Sequence, residues 1–165
     1  MHTWTRAFAV CGLAAACSVL HAQEAGVQAY GDWSVSVSEE ARIAKTSNEL
    51  ATIGVGCMGK SACFAYLGSN VAPCREGDST AFLLTSPLGA ASTRATCKRI
   101  NGNLLDVFED IEALSSIALN EIGFKVVVPL GDGAFQISSF SSRGAIPALR
   151  TLSAPVTRRL PDGSI

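Results

Sequence analysis

The chain holds 165 residues, 48% hydrophobic and 16% charged, with a formal net charge of −1. That balance excludes a polybasic face for a nucleic-acid backbone or for anionic lipid, and it suits an ordinary folded domain. Both histidines, His2 and His21, lie in the first 22 residues, while four of the six cysteines lie beyond them.

Residues 1–22 read as a secretory signal peptide. Arg6 supplies the positive start, and Ala7–Leu20 forms an apolar stretch of 14 residues, shorter than the ~20 that span a bilayer. Cleavage after Ala22 is expected; lipidation at Cys17 is the weaker alternative, because Ala14 stands where Leu or Val is usual. No other apolar run reaches membrane-spanning length, so no stable span is expected after cleavage. Processing would leave 143 residues carrying 12 basic and 14 acidic side chains, a net charge of −2.

The mature portion is expected to be one domain over 23–152, followed by a flexible tail over 153–165. Residues 23–29 are small and polar and predict a mobile leader. Trp33, Val35 and Val37 then alternate with polar neighbours through 32–38, the period of a half-buried strand. Strands are expected at 43–47 and 50–57, the second weakened by Gly54 and Gly56, and again at 62–67. A loop over 68–78 contains Cys74 and Arg75, and strands follow at 80–86 and 92–100. Asn101-Gly102-Asn103 is a hairpin signal into 104–108. The period then lengthens: Ile111, Leu114, Ile117 and Leu119 suit a helix over 109–120, with Glu109, Asp110 and Glu112 at its positive end. Strands at 124–130 and 134–140 flank Gly131-Asp132-Gly133, and a short helix is expected near 146–152, with Pro147 in its first turn. The pattern predicts a mainly β or α+β domain: about eight short strands in a sandwich or curled sheet, one packed helix and a short C-terminal helix.

Cys57, Cys63, Cys74 and Cys97 are separated by five, ten and 22 residues. An even count in an exported chain points to two disulfides. No C-x-x-C occurs and no histidine remains to complete a mixed site, so neither a metal nor another cofactor is expected. The pairing favoured is 57–63, clamping a hairpin, with 74–97 closing a loop for about 3 kcal/mol of stability.

Loss of both histidines removes serine–histidine and cysteine–histidine chemistry. A serine–lysine pair with S-x-x-K spacing is missing too, since Arg42, Cys57, Ala95 and Ile122 precede the lysines by three. Carboxylates are the surviving catalytic option, but Glu109, Asp110 and Glu112, with Asp106 just upstream, sit where acids stabilise a helix start. No catalytic residue is assigned. Trp33, Arg75, Phe140 and Arg143 are the candidate binding residues: Trp33 and Phe140, with Tyr66, as stacking faces, and the arginines as anion contacts on polar loops.

Tyr30-Gly31-Asp32-Trp33-Ser34-Val35, placed just after a signal peptide, resembles the opening of the invasion-associated locus B family of small exported Gram-negative proteins. The ending is similar as well, through Lys125–Pro129, Ile137–Phe140 and Gly144–Leu149. Ser36, Val37 and Ser38 stand where family members usually carry a cysteine. The middle, with Thr46, Asn48 and Gly54-Val55-Gly56-Cys57, looks more like a group of short exported proteobacterial proteins. The resemblance implies an envelope location and a β-rich fold, and no catalytic residues.

The expectation is therefore a non-enzymatic periplasmic or secreted module that binds another protein in the envelope or outside the cell, as a host-interaction factor or an inhibitor of an envelope enzyme. A small-molecule or envelope-glycan binder is the alternative, and a carboxylate-dependent hydrolase a distant third. In the denatured mature protein, a thiol reagent is expected to label no cysteine before reduction and four after it; labelling before reduction would restore thiol chemistry.

Overall fold

A computed structural model describes residues 26–153, apart from 39, 60–61, 119–121 and 131–132. The signal peptide and nearly all of the expected tail lie outside the described residues, as does Asp132.

Among the described residues the chain forms a single antiparallel sheet of ten strands flanked by two short helices. In chain order these are β1 (Val27–Tyr30), β2 (Trp33–Val37), β3 (Ala41–Ser47), β4 (Ala51–Met58), β5 (Ala62–Ser69), β6 (Ser79–Ser86), β7 (Gly89–Ile100), β8 (Asn103–Phe108), α1 (Ile111–Ala118), β9 (Phe124–Pro129), β10 (Phe135–Phe140) and α2 (Ala145–Ser153). The spatial order is β1-β2-β3-β4-β5-β8-β7-β6-β9-β10. The β-rich class expected from sequence is the one observed.

Each hairpin has a local cause. Asn101 and Gly102 both take positive φ, 49° and 82°, between the paired Ile100 and Asn103. That is the two-residue turn whose twist matches the flanking strands. The side chain of Asn48 accepts from the amides of Leu50 and Ala51 and turns β3 into β4. Gly56 faces Phe64 across β4 and β5, and the ring lies over the glycine, where a Cβ would meet it at 3.0 Å. Asp110 caps α1, accepting from the amides of Glu112 and Ala113 at 2.8 and 3.2 Å.

Two elements differ from the sequence reading. Val27–Tyr30 is an edge strand on β2 rather than part of a mobile leader. Three of its four side chains are exposed, so ladder hydrogen bonds rather than burial hold it, and hydrophobic patterning carries no trace of it. β7 starts at Gly89, because the tight Pro87-Leu88 turn keeps Ala90 and Ala91 in register with Thr85 and Leu84.

The sheet curls until its two ends meet. The Trp33 indole Nε1 donates to the Ser141 carbonyl at 2.9 Å, and the Asp32 amide donates to the Arg143 carbonyl at 3.0 Å. Asn48 Nδ2 donates to the Ser139 carbonyl at 2.8 Å. The enclosed core runs from Trp33, Val35 and Ile53 through Leu67, Phe108 and Phe82 to Leu84, Val126 and Phe140. α2 contributes Ala145, Ala148 and Leu152 beside β1–β4, and α1 contributes Leu114 near β5–β7.

Closure depends on two facing glycines, Gly31, where a Cβ would meet the Arg143 carbonyl at 2.7 Å, and Gly144. Gly144 has φ of +91°, and a Cβ there would collide with the Tyr30 carbonyl. Gly144→Ala is expected to lose about 3 kcal/mol of stability in urea unfolding through backbone displacement at the closure; an unchanged midpoint would show that the two ends move independently.

Candidate functional site

The four residues singled out as binders do not form one site. Trp33 is 1% exposed and packed in the core. Phe140 is buried and stacks on Phe124, with ring centroids 5.5 Å apart. Tyr66 is buried as well, and that burial pushes its phenol up to about 12. Trp33 presents no open face to a ligand, and Tyr66 and Phe140 reach only the walls of two shallow clefts.

Arg143 joins Trp33 and Phe140 at the closure, where its guanidinium meets Asp32 at 2.6 Å. That hydrogen bond, helped by one from Ser141, holds the Asp32 carboxyl below its usual range. The pair is largely exposed and contributes little stability. Arg75 lies elsewhere, exposed in the loop between β5 and β6.

The expected disulfides both form, Cys57–Cys63 across β4 and β5 and Cys74–Cys97 between that loop and β7. Beside the second lies Asp106, the cross-strand partner of Cys97. Its carboxylate is 5% exposed and its Oδ1 has no hydrogen-bond partner. Burial raises its pKa from 3.8 to about 6. Sequence reading noted Asp106 only as a carboxylate just upstream of the helix start, although its even spacing from Phe108 on a strand places it on the inward face.

The other feature that stands out is β10 and the sheet surface leading to it. Ser138 is 1% exposed and faces inward with Gln136 and Phe140. The opposite set faces out: Phe135 is 65% exposed and Ile137 55%. The strand is amphipathic in the wrong sense, apolar toward solvent and polar toward the core. Closure explains the register, since Phe140 must enter the core one residue before Ser141 meets Trp33, and period two then turns Ile137 and Phe135 outward.

Those side chains continue a line across the outer face. Leu83 on β6 pairs with Val127 on β9, and Val127 pairs with Ile137 on β10. Pro129 pairs with Phe135 beside them. In β6, β9 and β10 together the sole charge is Lys125, which stands next to a shallow cleft of about 400 Å³ bounded by Thr85, Pro87, Ile122 and Ser139.

The backbone at this edge is also open. Leu130 N donates to Ala134 O, so the alternate residues Phe135, Ile137 and Ser139 direct their N–H and C=O groups away from β9. The Ser139 carbonyl is taken by Asn48. Phe135 and Ile137 pair with no other strand. A second cleft, about 430 Å³ and lined by Thr52, Tyr66, Gly68, Arg99 and Leu105, lies over the join between β5 and β8.

The comparison with solved structures concerns this architecture. The fold is similar to that of invasion associated protein B from Bartonella henselae. The match has a TM-score of 0.52 at 11% identity and covers 76% of this chain and 94% of that one. At that identity the likeness is one of fold. No protein-family profile matches the sequence, and no curated protein matches it.

Asp106 gives a pH signature. Its folded pKa lies above the unfolded value, so the fold holds the proton more tightly; the stabilisation is complete below pH 4 and is lost as pH rises toward 6. The loss amounts to no more than about 3 kcal/mol. Chemical denaturation across pH 4–7 is expected to show this fall in the native protein and a flatter profile in Asp106→Asn; equal slopes would assign the pH dependence to other groups.

Proposed function

We propose that this chain is an exported, non-enzymatic protein-interaction module that receives an extended segment of a partner protein along β10. The observation carrying this reading is the inverted amphipathicity of β10. A strand that keeps Ser138 inside and presents Phe135 and Ile137 to water beside unpaired backbone groups gives up hydrophobic stabilisation unless something covers it.

A partner segment would add an eleventh strand through the open N–H and C=O groups of Phe135 and Ile137. Its outward side chains would extend the apolar line of Leu83, Val127 and Ile137, and an acidic residue would suit Lys125. Export is supported by the sequence of residues 1–22 and by the two disulfides. The named activity of the solved neighbour, an invasion associated protein, is compatible with a host-interaction role; inhibition of an envelope enzyme would use the same surface.

The glycan or small-molecule reading has less support, because Trp33, Tyr66 and Phe140 are withdrawn into the fold. A carboxylate-dependent hydrolase has less still: Asp110 is engaged as a helix cap, and Asp106 is enclosed beside a disulfide.

The test is affinity capture by the tagged, oxidised protein from envelope and culture fractions, read by mass spectrometry, with Ile137→Lys and Phe135→Ser tested in parallel. A stoichiometric protein partner is expected, with affinity at least about tenfold weaker for each variant, or ~1.4 kcal/mol. Equal retention by both variants would remove β10 from the interface, and the absence of any protein partner would favour small ligands.

A further inference from the structure

We propose that Cys74–Cys97 is a thiol-exchange site in which Asp106 delivers a proton to the departing sulfur of Cys97. The two cysteines differ in exposure: Cys74 is half-buried in the loop between β5 and β6, and Cys97 is 1% exposed on β7. A carboxylate oxygen of Asp106 and the two Sγ atoms all lie within 4.8 Å of one another. Asp106 Oδ1 is buried with no hydrogen-bond partner. A disulfide offers that oxygen no donor, whereas a Cys97 thiol would.

The exchange begins when the thiolate of an external thiol attacks Cys74 Sγ, the sulfur of the more exposed cysteine. A new S–S bond forms between that thiol and Cys74 as the Cys74–Cys97 bond breaks. Cys97 Sγ takes the bonding electron pair and accepts the carboxyl proton of Asp106, leaving a Cys97 thiol and an Asp106 carboxylate. A second thiolate then displaces Cys74 from the mixed disulfide, Cys74 Sγ taking the bonding pair and a proton from solvent: the external thiol is oxidised to its own disulfide, and the cystine is reduced to two cysteines. A buried sulfur leaves poorly as an anion, and protonating it lowers that barrier.

Asp106 can act this way because it retains its proton into the mildly acidic range, and burial alone raises it there. The charged groups on the surrounding elements are occupied at the surface or directed outward. Arg99 on β7 meets Glu76 of the loop at 3.1 Å, both half-exposed. Lys98, Arg75 and Asp78 are exposed, and β5 contributes Leu67 as the facing partner and Tyr66 on the opposite face. Among the described residues, no carboxylate joins Cys57 and Cys63 in a like group, so that disulfide serves as an internal control.

The folded, oxidised protein is treated with dithiothreitol from pH 5 to pH 8 and quenched with acid. Each disulfide is followed by differential alkylation and peptide mass spectrometry, and rates are divided by the thiolate concentration. The corrected rate at Cys74–Cys97 is expected to rise at least about tenfold as pH falls from 8 to 5. Cys57–Cys63 should stay flat, and Asp106→Asn should abolish the rise. A purely structural Asp106 predicts the reverse trend, because ionisation above pH 6 would loosen the site and speed reduction at high pH. A flat or reversed profile in the native protein overturns the proposal without recourse to a variant, as does an equal rise in a folded Asp106→Asn.

Discussion

The contact between the Tyr30–Trp33 turn and the Ser141–Gly144 segment decides how the rest of the molecule is read. Without it, ten strands would form an open sheet with two free ends and no enclosed interior. With it, the indole of Trp33 is both a core side chain and a hydrogen-bond donor to the far end of the chain, and the inner face closes over Phe82, Leu84 and Val126. It also settles the orientation of β10. A register one residue away would bury Phe135 and Ile137 and expose Ser138, the arrangement that hydrophobicity alone favours. Closure overrides that preference, and the displaced apolar side chains Phe135 and Ile137 are left on the outer surface.

Much of this was legible in the chain. Alternation at Trp33, Val35 and Val37, the Asn101-Gly102 turn and the change of period near Ile111 each correspond to an observed element. The disulfide pairing was also accessible, because a five-residue gap between cysteines on adjacent strands fits a hairpin clamp and the other pair then follows. What could not be read was which alternate set of β10 faces inward. The run Phe135-Gln136-Ile137-Ser138-Ser139-Phe140 has apolar residues in both sets, and the choice is made by a contact with residues more than a hundred positions away. Trp33 and Phe140 looked like binding aromatics for the same reason, since rarity in a sequence does not distinguish a core anchor from a ligand platform.

Asp106 illustrates a different limit. A strand reading Leu104-Leu105-Asp106-Val107-Phe108 presents a charged residue on the inward parity, and that conflict is visible in one dimension. Its significance appears only when β7 brings Cys97 alongside and the loop brings Cys74 over both. Local rules broken without evident compensation tend to mark functional positions. Among the described residues such breaks include one on the outer surface of β10 and one beneath the Cys74 loop. They lie in different parts of the sheet and call for different chemistry.

The join between β5 and β8 carries a consequence for how the molecule comes together. β1 to β5 follow one another in space as in sequence, and β6 to β8 form their own meander in reverse order. The ladder between the two blocks is short among the described residues, two pairs, Tyr66–Val107 and Leu67–Asp106, beside the shared core. Each block can therefore assemble from neighbours close in sequence, with little loop entropy to overcome, while the docking of blocks and the ring-closing bonds from Trp33 and Asn48 span 108 and 91 residues. The contacts that join β10 and its following segment to Trp33 and Asn48 therefore carry a larger loop-closure cost than the β9–β10 hairpin.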